Sequence, residues 1–191
     1  TLAELAGLPH VRVMPRTTVF GVYDGQTYGA IERVSDHLAV PPPHQPRQRL
    51  WRIVAKHAVL AAGAIERSIV FGGNDRPGVM LASAMRAYVN RYAAAPGRRV
   101  ALFTTGDDGW RTALDLVAAG IEVAAVIDNR DRAPAELRAR FPGVRIMEAS
   151  EVIATGGRHS LRSITVRSGP QIETLAVDIL AVAGGWNPAL H

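Results

Sequence analysis

Thr104, Gly106 and Gly109, with Asp128 nineteen residues beyond the last glycine, have the types and spacing to meet a phosphate-rich ligand. A glycine turn opening a helix brings bare backbone N–H groups up to a pyrophosphate, and a carboxylate about twenty residues on accepts from ribose hydroxyls. The full pattern reads G-x-G-x-x-G, and Thr104 stands where its first glycine belongs. Gly106 can still admit a pyrophosphate, and Gly109 can let helix and strand approach closely. Asp107 and Asp108 oppose that reading, because carboxylates at a helix N-terminus occupy the positive end that attracts phosphate. They can equally cap the helix. Asp128 reads more simply as a loop carboxylate.

Other chemistry finds little support. The six histidines, His10, His37, His44, His57, His159 and His191, show no i, i+4 spacing, so metal binding is not expected. With no cysteine there is no thiolate nucleophile, and with no G-x-S-x-G elbow hydrolase chemistry has no basis. The net charge of +5 is nearly all arginine, Lys56 being the single lysine, and it is scattered among acids rather than gathered in a stripe. That argues against nucleic acid. No apolar run reaches membrane-spanning length and no targeting signal is recognisable, so no membrane is expected.

The elements that position the turn follow from periodicity. Val100 to Phe103 is a short apolar strand, Ala113, Leu114, Val117 and Ala118 mark one helix face, and Ile121 to Ile127 is a second strand after Gly120. Strand, short crossover helix and strand make a right-handed βαβ unit. Pro134 opens a short helix over 135–141, and Val144 to Met147 adds a third parallel strand. A meander follows over 151–154, 161–167 and 172–175, and then a strand, 178–183, running into Gly184-Gly185. Upstream, Met80, Leu81, Ala84, Met85, Tyr88, Val89 and Tyr92 form a helical stripe closed by Pro96-Gly97.

The first 68 residues repeat that ending. After a helical start at 2–8 and a short strand at 11–14, strands at 17–23, 28–34 and 49–54 form a meander with an Asp24-Gly25 hairpin signal. The proline-rich Pro41 to Pro46 reads as a solvated loop, and 55–62 as a last strand running into Gly63. The fold expected is thus α/β: a Rossmann-like βαβαβ parallel sheet with a β-meander, plus a partial second copy (meander and last strand). The domains expected are 1–68, a connection with a helix over 69–98, and 99–191. The echo implies a chain cut from a longer protein whose first glycine turn precedes Thr1.

On these residues the chain resembles the two-dinucleotide-fold flavoprotein oxidoreductases, with Val59 to Ala64 similar to the strand end that closes on the first dinucleotide. Ala61 to Arg67, Val70-Phe71 with Asn74 to Ala82, Ala87 to Tyr92 and Ala183 to Pro188 resemble the central region of the α subunit of heterotetrameric sarcosine oxidase. The resemblance implies a cofactor-binding and assembly part of an oxidoreductase: NAD in the intact subunit, FAD and FMN elsewhere in the complex, and the oxidative demethylation of sarcosine in another subunit. It implies partner subunits, a cytoplasmic location and a fragment inactive alone, with no cofactor bound in the fragment as a further expectation; the missing opening strands, which leave an unpaired sheet edge, imply that the fragment self-associates or stays marginally folded over 1–68. The alternatives are a non-catalytic interaction module with a degenerate nucleotide fold, or a fragment of an NAD(P)H-dependent flavin reductase.

No catalytic or metal residue is assigned. The cofactor-binding candidates are Ala61, Ala62, Gly63, Ala64, Gly106, Gly109, Gly184 and Gly185. Glu66 and Arg67 read as a solvated pair or a cofactor or subunit contact, Asp75 and Arg76 as turn residues or as an orienting link, and Trp186 as packing or cofactor stacking.

Overall fold

The computed structural model describes residues 2–189 and falls into two compact units divided between Ala61 and Ala62. In the first unit, α1 (Leu2–Ala6) precedes β1 (Thr17–Tyr23), β2 (Thr27–Arg33) and β3 (Gln48–Val54), paired antiparallel in the order β1-β2-β3. Asp24 to Gln26 make the tight connection, with Gly25 at φ +67°. Phe20 is an extra residue in β1 between two ladder positions, a bulge that swings its ring over Gly29. Among the described residues of this unit only Gly29, Ala30 and Ser35 are buried.

The second unit runs β4 (Ala64–Glu66), β5 (Val79–Leu81), α2 (Ala82–Tyr92), β6 (Arg99–Thr104), α3 (Asp107–Ala118), β7 (Glu122–Asp128), α4 (Ala135–Arg138), β8 (Arg145–Met147), β9 (Ser150–Gly156), β10 (Ser163–Ser168), β11 (Gln171–Ala176), β12 (Ile179–Ala183) and β13 (Trp186–Pro188). Its centre is a five-stranded parallel sheet in the order β5-β12-β6-β7-β8. Alternate residues of these strands enter two cores. Val100, Leu102, Val126 and Ala181 pack with Met85, Trp110, Ala113 and Leu116 of the helices, while Ala101, Phe103, Ala125, Ile127 and Leu180 pack with Val152, Ile164 and Val166 of the antiparallel β11-β10-β9 sheet. The strands are continuous apolar runs because both faces are covered.

The α/β architecture, the βαβαβ unit and both meanders agree with the reading from sequence. Three differences have physical causes. Residues 11–14 and 55–62 form no strand: an apolar run becomes one only when a ladder partner stands beside it, and among the described residues none does. The expected last strand of the partial copy is therefore absent, and Val59 and Leu60 are exposed. The stripe from Met80 divides into β5 and α2, and the helix ends at Ala93, in the left-handed region at φ +50°, before Pro96. Finally, β4 and β13, three residues each, form an antiparallel ribbon that no periodicity announced.

Candidate functional site

At the C-terminal ends of the parallel strands, β6 and β12 lie side by side, with Ala183 opposite Thr104. The strand order reverses at this point, since β6 is followed by β7 and β8 on one side and the next strand of the sheet, β12, returns to the other side of β6. A crevice at such a switch point is where open α/β sheets take ligands. Gly106 follows β6 and Gly184-Gly185 follow β12 at this end, and the β4–β13 ribbon runs from Gly185 and Arg67 out to Ala64 and Gly63 at its far end. Gly184 N–H donates to the Arg67 carbonyl at 2.9 Å, Arg67 N–H to that of Gly185 at 2.8 Å, and Ala189 N–H to that of Gly63 at 3.0 Å. Ala61 and Ala62 precede this set as exposed residues, and among the described residues no backbone hydrogen bond reaches either.

The glycines divide by what a side chain would meet. At Gly184 a Cβ would come within 2.7 Å of the Arg67 carbonyl oxygen, so this glycine lets the two ribbon strands cross. A Cβ at Gly109 would lie 2.4 Å from the Thr104 Cβ, so this one lets α3 rest on β6. Gly63 and Gly185 sit at φ +80° and +91°, an added Cβ at either would meet no atom within 4 Å, and their backbones are open. Gly106 is extended and equally open.

The second turn is differently furnished. Thr104, wholly buried, accepts from Gly106 N–H through Oγ1 at 3.1 Å and donates to the Gly106 carbonyl at 2.7 Å. Asp107 and Asp108 occupy the first turn of α3 without capping it through a side-chain hydrogen bond. Arg130 donates to Asp107 at 2.8 Å, Arg111 to Asp108 at 2.8 Å, and Trp186 Nε1 also donates to Asp108. Asp128, expected as a loop carboxylate, is instead fully buried at the end of β7. It accepts from Trp110 Nε1 at 2.7 Å, from the backbone N–H of Arg130 at 3.0 Å, and from the Arg130 guanidinium, at 2.8 Å through Nη2. The hydrogen bond to Asp128, aided by Asp107, holds the Arg130 proton more tightly than usual.

Glu66 is not the solvated acid that its neighbour Arg67 suggested. It is buried, and its Oε2 accepts from Ser83 N–H at 2.8 Å, capping α2 from another element. With Ser83, Arg86, Asn90, Asp108, Thr112 and Trp186 it lines a cavity of about 260 Å³. Arg86 there is held by Asp115 at 2.7 Å. Trp186 is exposed rather than packed, and its signal in sequence was only its place after two glycines. Arg76 reaches across to the second meander, donating to Thr155 Oγ1 at 3.1 Å and to the Gly157 carbonyl, so Asn74 to Gly78 is a staple between elements. Among the described residues no group of three or more His, Asp or Glu side chains could hold a metal, and no helix is long and apolar enough to cross a membrane.

No protein-family model matches the chain. The chain is 51% identical over all 191 of its residues to sarcosine oxidase subunit alpha of Rhizobium meliloti (strain 1021), covering 19% of that protein. It is 40% identical to the subunit of the same name from Corynebacterium sp. (strain P-1), again over its whole length and covering 21% of the relative. The chain thus spans about a fifth of the length of the curated relatives it matches. Among solved structures, an NAD-dependent persulfide reductase from A. fulgidus superposes with a TM-score of 0.64 at 17% identity, over 98% of this chain and 34% of that one. That likeness carries the fold.

Proposed function

We propose that this chain, homologous along its whole length to a segment of sarcosine oxidase subunit alpha, is the cofactor-binding and assembly part of an oxidoreductase subunit of that kind. The 51% identity maintained over all 191 residues is the observation that carries the reading. In it, Ala61, Ala62, Gly63, Ala64 and Gly185 border NAD in the subunit at its natural length. Small side chains and left-handed glycines leave no bulky group over this backbone, and a bulky one would keep the dinucleotide away. Gly184 serves the same site at one remove, by letting the ribbon strands approach. NAD supplies hydride-transfer capacity when bound, and the residues of this chain bind and orient it.

Oxidative demethylation of sarcosine belongs, in this reading, to a complex with FAD and FMN on other surfaces, and other subunits are the partners. The location is cytoplasmic. The test is the NAD content of the natural-length protein after purification with its partner subunits, with Ala62→Leu as the probe. Ala62 is exposed, so the fold should tolerate leucine while NAD affinity falls at least about tenfold, roughly 1.4 kcal/mol. Unchanged NAD binding in Ala62→Leu would remove the assignment.

A further inference from the structure

A dinucleotide asks three things of a glycine turn like that of Thr104 to Gly109: free N–H groups at the helix start, an unoccupied positive helix end, and a carboxylate free to accept from ribose. The chain itself takes up the Gly106 N–H and the carboxylate, and it sets two acidic side chains at the helix end. Thr104 Oγ1 takes the Gly106 N–H, and its side chain fills the floor of the turn against Gly109. Asp107 and Asp108 neutralise the start of α3 and are themselves paired. Asp128 has its acceptor sites turned to Trp110 and Arg130, with no exposure to solvent.

Arg130 ties the arrangement together. Its guanidinium donates to Asp128 at the end of β7 and to Asp107 at the start of α3, and so spans the two points that a bound dinucleotide would link. We infer that Arg130, with Thr104 and Trp110, closes this second nucleotide turn from within, so that the turn serves as a filled scaffold and takes no NAD, NADP or FAD. An incoming anion would meet two carboxylates, and to reach Asp128 it would have to strip a buried charge of its partner. Arg130 is thus a positioning residue. The closure belongs to the second turn alone and is independent of NAD binding at Ala61 to Ala64.

Gly106→Ala is the direct probe, because a Cβ there meets no atom within 4 Å and the backbone is extended, so the variant should fold while blocking backbone approach to a pyrophosphate. Calorimetric titration of the 191-residue chain with NAD, NADP and FAD should give no dissociation constant below about 10 μM for any of them. In the natural-length protein, NAD affinity should be the same for Gly106→Ala as for the unaltered sequence. A loss of about threefold or more in Gly106→Ala would overturn the inference, whereas loss in Ala62→Leu alone would leave it standing.

A second readout needs no ligand. Arg130→Met leaves Asp128 buried without its cation, and its denaturation midpoint should fall. The added change Asp128→Asn keeps an acceptor for Trp110 and should restore the midpoint. A midpoint in Arg130→Met equal to the starting one would mean that the bridge does not hold the turn.

Discussion

The two meanders are built alike and live differently. In the second, Ile164 and Val166 of β10 are fully buried against Ala101, Phe103 and Ile127 of the parallel sheet. In the first, Val19, Leu50 and Val54 are 55%, 70% and 68% exposed, although β2 is laddered to β1 and β3 along its length but for the bulge at Phe20. Backbone pairing is of the same kind in both, while in the second the β10 side chains enter a buried core shared with the parallel sheet of the same unit. A three-stranded sheet holds its register by hydrogen bonds, but its core comes from the layer beneath it.

Hydrogen exchange offers the widest test of that contrast. Opening free energies range from near zero to the global value of about 5–15 kcal/mol, and residues 97–189 should sit at the upper end. Residues 57–62, which carry no backbone hydrogen bond among those described, should exchange at once, with β1 to β3 between. The exposed apolar faces of the first unit should also drive self-association, visible by light scattering at about 100 μM. Uniform protection in a monomer would mean that the first meander completes a fold of its own.

Next in size are truncations of equivalent side chains. Ile164→Ala should cost about 2–5 kcal/mol, and Leu50→Ala no more than about 0.5 kcal/mol, in the same urea titration. Equal costs would erase the distinction. Glycines repeat it more gently. Gly109→Val drives a branched side chain into buried Thr104 and should cost about 1–3 kcal/mol as overpacking. At Gly21 a Cβ meets the hydroxyl end of the exposed Tyr23 ring, which can swing away, so Gly21→Ala should change the midpoint little.

The smallest effect concerns a charge in the first unit. The Gln48 side chain, and after it Arg47, hydrogen-bonds Asp36 and holds its carboxyl below the ordinary value of 3.8. Its folded pKa being depressed, its contribution to stability is present above that ordinary value and is lost as pH falls through the lower folded one. An NMR titration of Asp36 should show the pKa rising toward 3.8 in Gln48→Ala. No movement would assign the shift to Arg47 alone.

What could be read from the sequence was what its neighbours in sequence decide. The glycine after β6, the 3.6-residue spacing of α3 and the apolar run of β7 are local signals, and they specified the βαβ unit. Residues 55–62 carry the same apolar signal as β12, yet one is irregular and the other a central strand, because pairing depends on residues far away. Glu66 looked solvated beside Arg67, but its burial follows from the arrival of Ser83 at its carboxylate. The fate of Asp128 likewise turns on Trp110, one helix face away, which no spacing rule pairs with it. At the candidate site the small residues at strand ends were legible, whereas the ribbon that brings Gly63 and Gly185 into one element came only with the fold.

The strand order β5-β12-β6 also sets a schedule for synthesis. β12 is the last of the five to leave the ribosome and belongs between the first two. At roughly 5–20 residues per second, β5 and β6 wait on the order of several seconds for it, each with an open edge toward the gap. The unit of β6, α3 and β7 can form meanwhile from contacts close in sequence, which are fast. Completion of the sheet, and with it the placement of Gly184 and Gly185, is then a late insertion event, and a nascent chain stalled before β12 would present two edges to any strand nearby.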